Sequence, residues 1–412
     1  MDKILRIILF FPSVTFSLIA AEVFPWGLIY VLSKKKAFRY RELMYVIILL
    51  LSAIITVYND SKYGVEAVRS FIAYLNPLLL FFVLMNINKE EIIKLKSIIK
   101  YILVIFFIVA VLQYLSILRI IDPILSFLVP RGSSEVVAGG RGVSVFSSEP
   151  SRASLEYVFL YAAFRSFGEY SKRRYVLFDI LVMILVVGLL RSATGLFLLI
   201  IFYYFIYGWK IILYSILVYI PVIVYFDDSR VYEILNMMIA ANSVSDLSSI
   251  IINTSGFRVA SIIGAYNNLF YNIIGFGVGA WQESSIKAME NAGLNPVEIA
   301  YFRNRSSSDF ISVRPTSYFA NISLDLGVLG VIMIICVLYP YFKEAYSQSK
   351  DIRSLLFLFL FSFIFVGSVG DPVPWVALSI AIRYAEYLKS DSLQILLENN
   401  TESGVARKKW TH

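Results

Sequence analysis

Four stretches of this chain combine arginines, carboxylates or glycines in patterns that could do chemistry, and three of them adjoin a long apolar segment. In the first stretch, Arg141 and Arg152 enclose Glu149, which is followed by Pro150. A polar residue before a proline is typical of a helix start, so Glu149 should lie at the positive end of a helix dipole. An arginine just inside that helix is costly in a bilayer unless it faces the bundle interior or a wet cavity. Such a group can bind an anion and accept a proton, although an ordinary capped helix with a snorkelling arginine is the alternative.

The second and third stretches combine an arginine with small residues. Arg191 precedes Ser-Ala-Thr-Gly between two apolar runs, where small residues permit close helix contact. Arg258 begins a short amphipathic pattern, typical of a helix in the membrane interface. Downstream, Gly275, Gly277 and Gly279 lack the preceding strand that a dinucleotide fingerprint requires. These glycines predict a tight backbone turn near a ligand or another helix.

The fourth stretch runs into an apolar segment. Its chemistry-bearing residues are Arg303, Arg305, Asp309, Arg314, Tyr318 and Asp325. Because a carboxylate inside a membrane helix is expensive, Asp325 is a functional candidate. The alternative is a structural partner for an arginine of another segment. Taken together, the four stretches predict a cup of arginines and carboxylates that suits a phosphate-bearing substrate.

The composition determines what positions these residues. Of the 412 residues, 58% are hydrophobic and 16% are charged, against about 25% charged in soluble domains. The apolar residues form long blocks, which predicts an all-α polytopic membrane protein. The single cysteine, Cys336, excludes a disulfide framework, and the single histidine is the terminal His412, so a histidine base or metal ligand in the bundle is excluded.

The apolar blocks predict about twelve transmembrane helices. They are 4–20, 22–33, 42–58, 66–86, 99–118, 151–168, 175–190, 192–208, 211–226, 317–342, 354–370 and 373–388. Eleven result if residues 4–32 form one long tilted helix instead of a hairpin. The predicted domains are an N-terminal bundle 1–226 with a loop at 119–150, a large external loop 227–316 with short helices, C-terminal helices 317–388 and a tail 389–412.

Lysine and arginine are distributed differently. The basic clusters fall on one side of these spans, which the positive-inside rule assigns to the cytoplasm together with the C-terminus. Among the lysines, only Lys62 and Lys287 then lie outside, whereas many arginines do. Arginine suits bidentate phosphate binding, although salt-bridged loop residues are the alternative reading. The net charge of +8 reflects cytoplasmic anchoring rather than a nucleic-acid-binding face.

In this order, the stretches resemble the O-antigen polymerase (Wzy-like) family and its relative, the O-antigen ligase. The similar features are Arg141-Gly142 with Phe146 and Glu149-Pro150-Ser151, Ser192-Ala193-Thr194-Gly195, Arg258 with Gly275, Gly277 and Gly279, and Tyr318 through Asp325 to Gly330. The resemblance covers about 65–390. The ligase branch has a histidine near the start of the span that begins here with Thr316-Ser317-Tyr318, and its absence favours the polymerase branch.

The resemblance implies a GT-C-like polymerase or ligase architecture in the bacterial inner (plasma) membrane, with the active site facing outward. The activity implied is metal-independent and cofactor-free glycosyl transfer between undecaprenyl-diphosphate-linked oligosaccharides. A flippase and a chain-length regulator are the implied partners. A ligase-type transferase and a transporter or flippase of lipid-linked sugars remain alternatives, although the two similar halves common in transporters are not evident.

Candidate site residues follow from that reaction. The expected catalytic residues are Glu149, Asp325 and Arg258, with Asp309 as a third choice of base. The residues expected to bind the diphosphate or glycan are Arg141, Arg152, Arg191, Arg303, Arg314 and Tyr318.

Overall fold

The computed structural model describes residues 2–13, 25–33, 39–115, 129, 142–168, 170–210, 236–305 and 308–408. Throughout these ranges the regular structure is helical. The α-helices are α1 Asp2–Ile8, α2 Pro25–Ser33, α3 Tyr40–Asn59, α4 Gly64–Met85, α5 Lys89–Tyr114, α6 Pro150–Ser166, α7 Lys172–Met183, α8 Ala193–Tyr207, α9 Val244–Ser255, α10 Phe257–Tyr271, α11 Trp281–Asn291, α12 Ala300–Arg303, α13 Tyr318–Asp325, α14 Gly327–Ser347, α15 Lys350–Phe365 and α16 Val373–Lys408. A π-helical turn, Ile184–Leu189, continues α7.

Several predicted spans coincide with single helices: 42–58 with α3, 66–86 with α4, 151–168 with α6, 192–208 with α8 and 354–370 with α15. Within the described ranges, four helical segments are long and apolar enough to cross a membrane: Tyr40–Asn59, Ser61–Met85, Lys89–Tyr114 and Gly327–Ser347. The structure is therefore that of a helical membrane protein, as the sequence predicts. The count of twelve stays a prediction, and the predicted span 211–226 lies outside the described residues.

Short links join α3 to α4, α4 to α5, α6 to α7 and α14 to α15, as expected for antiparallel neighbouring helices. The end that carries α9 to α12 is here called the loop end. Charge pairs at the opposite end connect α6, α7 and α15. There, Arg165 Nη1 lies 2.5 Å from Asp179 Oδ2, and Arg165 Nε lies 3.3 Å from Asp351 Oδ1. Tyr161 and Tyr207 also donate hydrogen bonds to Asp179, so this buried carboxylate has several partners, as burial requires.

Aromatic rings fill the centre of the bundle. The Trp375 ring on α16 lies 5.8 Å from Phe81 on α4, 5.0 Å from Tyr318 on α13 and 4.9 Å from Phe359 on α15, centroid to centroid. All three pairs have the edge-to-face geometry that aromatic quadrupoles favour. This packing fixes α13 and α16 relative to α4 and α15.

The predicted span 317–342 is divided into α13 and α14 at Leu326, where the backbone turns through Gly327 with φ 59°. Backbone groups of the 273–277 segment pair with the chain around this break. The amide of Gly277 donates to the Asp325 carbonyl at 2.8 Å, and the Val328 amide donates to the Ile273 carbonyl at 2.8 Å. Backbone groups freed by the break are thereby satisfied within the protein.

The three alternate glycines make this pairing possible. Their φ values are 83° at Gly275, 96° at Gly277 and 102° at Gly279, a region that side chains disfavour. A Cβ on Gly275 would lie 2.5 Å from the Asp325 carbonyl oxygen, and a Cβ on Gly279 would lie 2.4 Å from Ala67 Cα. The expected tight turn against another helix is thus present, and it joins two stretches that the sequence presents separately.

Replacing Gly275 by alanine should destabilise the fold by roughly 2–4 kcal/mol, since backbone strain adds to overpacking. Gly293→Ala is the matched control, because Gly293 also has positive φ (66°) but has open space around its Cβ position. Thermal unfolding in detergent should therefore show a clearly larger loss for Gly275→Ala. Equal losses for the two variants would contradict the close backbone contact.

Helices α9 to α12 form a small unit with its own apolar core. Its buried residues include Ala260, Met289, Ile299, Phe302 and Phe310. A second cluster joins α10 and α11 to α13 through Ala265, Ala288 and Leu324, among others. The unit is thereby fastened to the bundle close to the α13–α14 break, which places Arg258 at the loop end of α6.

Candidate active site

Residues 142–149 have no regular secondary structure, lead into α6 and contact both α5 and the π-helical turn. The Val143 amide donates to the Leu189 carbonyl at 3.0 Å, and the Val145 amide donates to Gln113 Oε1 at 2.8 Å. Val145 has φ 53°, which is strained for a β-branched residue. Such strain persists only where the surroundings impose it, and it is common at functional sites. Residues 143–149 are therefore firmly positioned.

Helix α6 begins at Pro150 with Glu149 as its N-cap, as predicted from the sequence. Arg258 at the start of α10 donates from Nη2 to Glu149 Oε2 at 3.2 Å, across 109 residues of chain. The side chains are 39% exposed at Arg258 and 51% exposed at Glu149. Two predicted site residues thus form an accessible ion pair at the loop end.

The charges continue inward along one face of α6. Arg152 follows Glu149 by three residues and Glu156 follows Arg152 by four, so the three residues share a face. Arg152 Nε lies 3.5 Å from Glu156 Oε1 and 3.9 Å from Oδ2 of Asp371, which precedes α16. Their side chains are 16%, 0% and 3% exposed, respectively. The charge ladder is defined as Arg258, Glu149, Arg152, Glu156 and Asp371, and it runs from water into the protein.

The inner end of the charge ladder has two carboxylates around one guanidinium. Ser147 Oγ donates to Glu156 Oε2 at 2.5 Å, and Asp371 Oδ1 accepts from the Val373 amide at 3.0 Å. Burial raises the pKa of the Asp371 carboxyl, while the positive charge of Arg152 opposes that rise. The positive charge of Arg152 therefore offsets part of the cost of burying the two carboxylates.

Glu156 and Asp371 were missed as candidates by the sequence reasoning. Glu156 carried a usable signal, because it is a carboxylate within a predicted span, four residues after an arginine. Asp371 stands in a short turn next to Pro372, and its sequence neighbourhood does not indicate that it faces Arg152. Only the packing of α16 against α6 brings that contact about.

A second group surrounds Asp325. Tyr74 donates to Asp325 Oδ2 at 2.7 Å, and Tyr318 donates to the Tyr74 carbonyl at 3.0 Å. The Arg314 guanidinium lies 5.9 Å from the Tyr74 ring centroid, and its Nε donates to Asn321 Oδ1 at 3.0 Å. The predicted residues Arg314, Tyr318 and Asp325 therefore converge, but Asp325 is buried and lies behind Tyr74.

A small cavity connects the two groups, since Tyr318 and Asp371 both line it. Trp375 and Gly367 belong to the same wall. The Asp325 group thus borders the inner end of the charge ladder, while the ladder's outer end is open to solvent.

Arg191 lies close to the segment that leads to Glu149. It joins the π-helical turn to α8 with φ 46°, and its guanidinium is 5.8 Å from the Tyr114 ring centroid. A Cβ on Gly142 would lie 1.9 Å from the carbonyl oxygen of Leu190, so the two segments are in direct contact. π-helical turns and strained non-glycine residues are both frequent at functional sites.

Three further candidates have other outcomes. Arg303, at the end of α12, and Asp309 are exposed, and neither is a partner in the ion pairs of the charge ladder. Arg141 lies outside the described residues. Across the described parts of the chain, no three His, Cys, Asp or Glu side chains are grouped as a metal site would require.

Comparison of the chain with known protein families, with curated proteins and with solved structures finds no match. The site presents an accessible guanidinium that can bind an anion, beside a carboxylate that can accept a proton.

Proposed function

We propose that this chain is a polysaccharide polymerase of the O-antigen or capsule type. It joins undecaprenyl-diphosphate-linked repeat units at the outer leaflet of the bacterial inner membrane and has a GT-C-like architecture. One observation carries the proposal: Arg258 meets Glu149 at the start of α6, and Arg152 follows on the same face. The sequence singled out these three residues for this chemistry, and Arg258 lies 109 residues from Glu149 along the chain.

The proposed reaction is a substitution at the anomeric carbon of the donor glycan. The acceptor hydroxyl oxygen forms a bond to that carbon, and the bond between the carbon and the diphosphate oxygen breaks. The lipid diphosphate leaves with the electron pair, and the hydroxyl proton passes to a base. Negative charge therefore grows on the diphosphate, where fixed cations stabilise the transition state more than the ground state.

The geometry supports a division of roles within the charge ladder. Arg258 is exposed and able to reach a lipid headgroup, while Arg152 provides a second, more buried guanidinium. Glu149 is the preferred base, because it is half exposed, whereas Asp325 is enclosed and already accepts a hydrogen bond from Tyr74. Arg141, Arg191, Arg303, Arg314 and Tyr318 remain proposed contacts for the diphosphate or glycan.

Glycan analysis in cells that lack their own copy of this gene tests the proposal. Complementation with the wild-type chain should convert single surface repeat units into a ladder of polymers, whereas the empty vector should not. Single units with both plasmids would deny polymerase activity while leaving transport intact. Surface glycan that appears only with the chain, and only as single units, would favour the transporter or ligase alternative.

A further inference from the structure

Large apolar side chains are exposed at the end of α10. Phe270 is 84% exposed and Ile274 is 82% exposed, and Tyr271 and Ile273 between them are each 65% exposed. Four such residues within five positions are costly in water, at roughly 25 cal/mol for each Å² of apolar surface. A contiguous apolar surface of this kind indicates a membrane or protein contact.

The contact of Val278 with α3 indicates how deep the segment after α10 lies in the membrane. The Val278 amide donates to Ser52 Oγ on α3 at 3.1 Å. Ser52 precedes Tyr58 by six residues, or about 9 Å along the helix. Tyr58 is exposed near the loop end of α3, where an interfacial aromatic residue is expected. Val278 therefore lies well below the interface.

The outer surface of α3 is apolar at this depth. Leu51, Ile54 and Ile55 are all exposed and flank Ser52 or the following turn. Since α3 has 20 residues, it is about 30 Å long and matches the hydrocarbon thickness of a bilayer. Its exposed face near Ser52 is thus the face that meets lipid.

Contacts with α14 also place residues 270–274 beside a lipid-facing surface. The Ile273 carbonyl accepts from the Val328 amide, and Leu329 and Ile332 in the next turn are exposed apolar residues. Phe270 to Ile274 therefore extend an apolar surface that already belongs to a candidate membrane span.

The chain returns to water soon afterwards. Glu283 pairs with Lys62 at 2.7 Å, with both side chains more than half exposed. The segment between Tyr271 and Glu283 thus dips below the level of Tyr58 and rises again. Its amides at Phe276, Gly277 and Val278 are paired with α13 or α3, which is the condition for non-helical backbone at membrane depth.

We infer that residues 270–274 are immersed in the leaflet at the loop end, where lipid acyl chains contact Phe270, Tyr271, Ile273 and Ile274. The link between α10 and α11 is then a re-entrant segment, and the predicted external loop 227–316 is not wholly external. This inference does not depend on the proposed activity.

Cysteine labelling in proteoliposomes tests the inference. In a Cys336→Ser background, Ile274→Cys should react with a lipophilic maleimide and roughly tenfold or more slowly with a charged one. Ile332→Cys on α14 is the lipid-facing control, and Val297→Cys, near the exposed Glu298, is the aqueous control. Phe270→Cys provides a second position if Ile274→Cys does not fold.

Each labelling pattern either supports or overturns the immersion of residues 270–274 in lipid. Behaviour of Ile274→Cys like that of Ile332→Cys supports immersion in lipid. Reaction with the charged maleimide as fast as at Val297→Cys would place the segment in water and overturn the inference. Protection of Ile274→Cys from both reagents, where the lipophilic maleimide does label Ile332→Cys, would also overturn it, because another protein surface would then cover the patch.

Discussion

Replacing Arg258 by alanine should reduce polymer formation by roughly 10²- to 10³-fold, the usual cost of losing one group that stabilises developing negative charge. The folded level should change little, because the Arg258–Glu149 pair is exposed and such pairs contribute about 0–1 kcal/mol. The measurement is the glycan ladder at matched membrane levels, where the variant should leave single repeat units.

Two further variants sharpen this prediction. Arg305→Ala is the matched control, since Arg305 is an exposed arginine just after α12 whose guanidinium lies 4.7 Å from the Tyr301 ring centroid. It should leave the ladder unchanged. Arg258→Lys should retain only part of the activity, because an ammonium lacks the bidentate fork. A full ladder from Arg258→Ala would refute the role of this arginine.

Replacing Arg152 by alanine should cost the most stability, roughly 3–5 kcal/mol, because it leaves buried charge without its partner. Glu156 and Asp371 would then face each other with the compensating cation removed. Thermal unfolding in detergent at neutral pH measures the loss. An unfolding midpoint equal to that of the wild type would contradict the inner part of the charge ladder.

The pH dependence of this variant has a definite sign. Burial raises the pKa of Asp371, and removing Arg152 removes the charge that opposes the rise. Glu156 also contacts Arg152, so the variant leaves two carboxylates without their shared cation, and like charges disfavour ionisation. Between the raised pKa of folded Asp371 and the ordinary aspartate value of about 3.9, the folded variant binds more protons than the unfolded chain. The stability of the variant should therefore increase as the pH falls through this range.

A double variant distinguishes loss of the contact between Arg152 and Glu156 from nonspecific destabilisation of the fold. Glu156→Gln removes one of the two carboxylate charges, so it should partly restore the stability of Arg152→Ala. The two substitutions are then non-additive, as expected for residues in contact. Asp351→Asn, which breaks an arginine contact at the opposite end of α6, should combine additively with Arg152→Ala. Additive losses in both combinations would show that the charge ladder is not a coupled unit.

Local features of the fold follow directly from the residues. The bounds of α3, α4, α6 and α8 lie within a few residues of the apolar blocks, because helix length in a bilayer depends on composition. The N-cap position of Glu149 follows from the proline after it. Such features depend on neighbours a few residues apart, so the chain needs no tertiary contacts to specify them.

Long-range contacts could not be predicted from these local sequence patterns. The ion pair of Arg258 with Glu149, the approach of Asp371 to Arg152 and the docking of Gly277 on Asp325 each join distant parts of the chain. These contacts depend on which helix packs beside which, and the spacing of residues along one helix carries no information on that choice. The break at Leu326 is a further case: the apolar run 317–342 is continuous in the sequence, and the neighbouring glycine segment supplies the backbone partners that make the interruption possible.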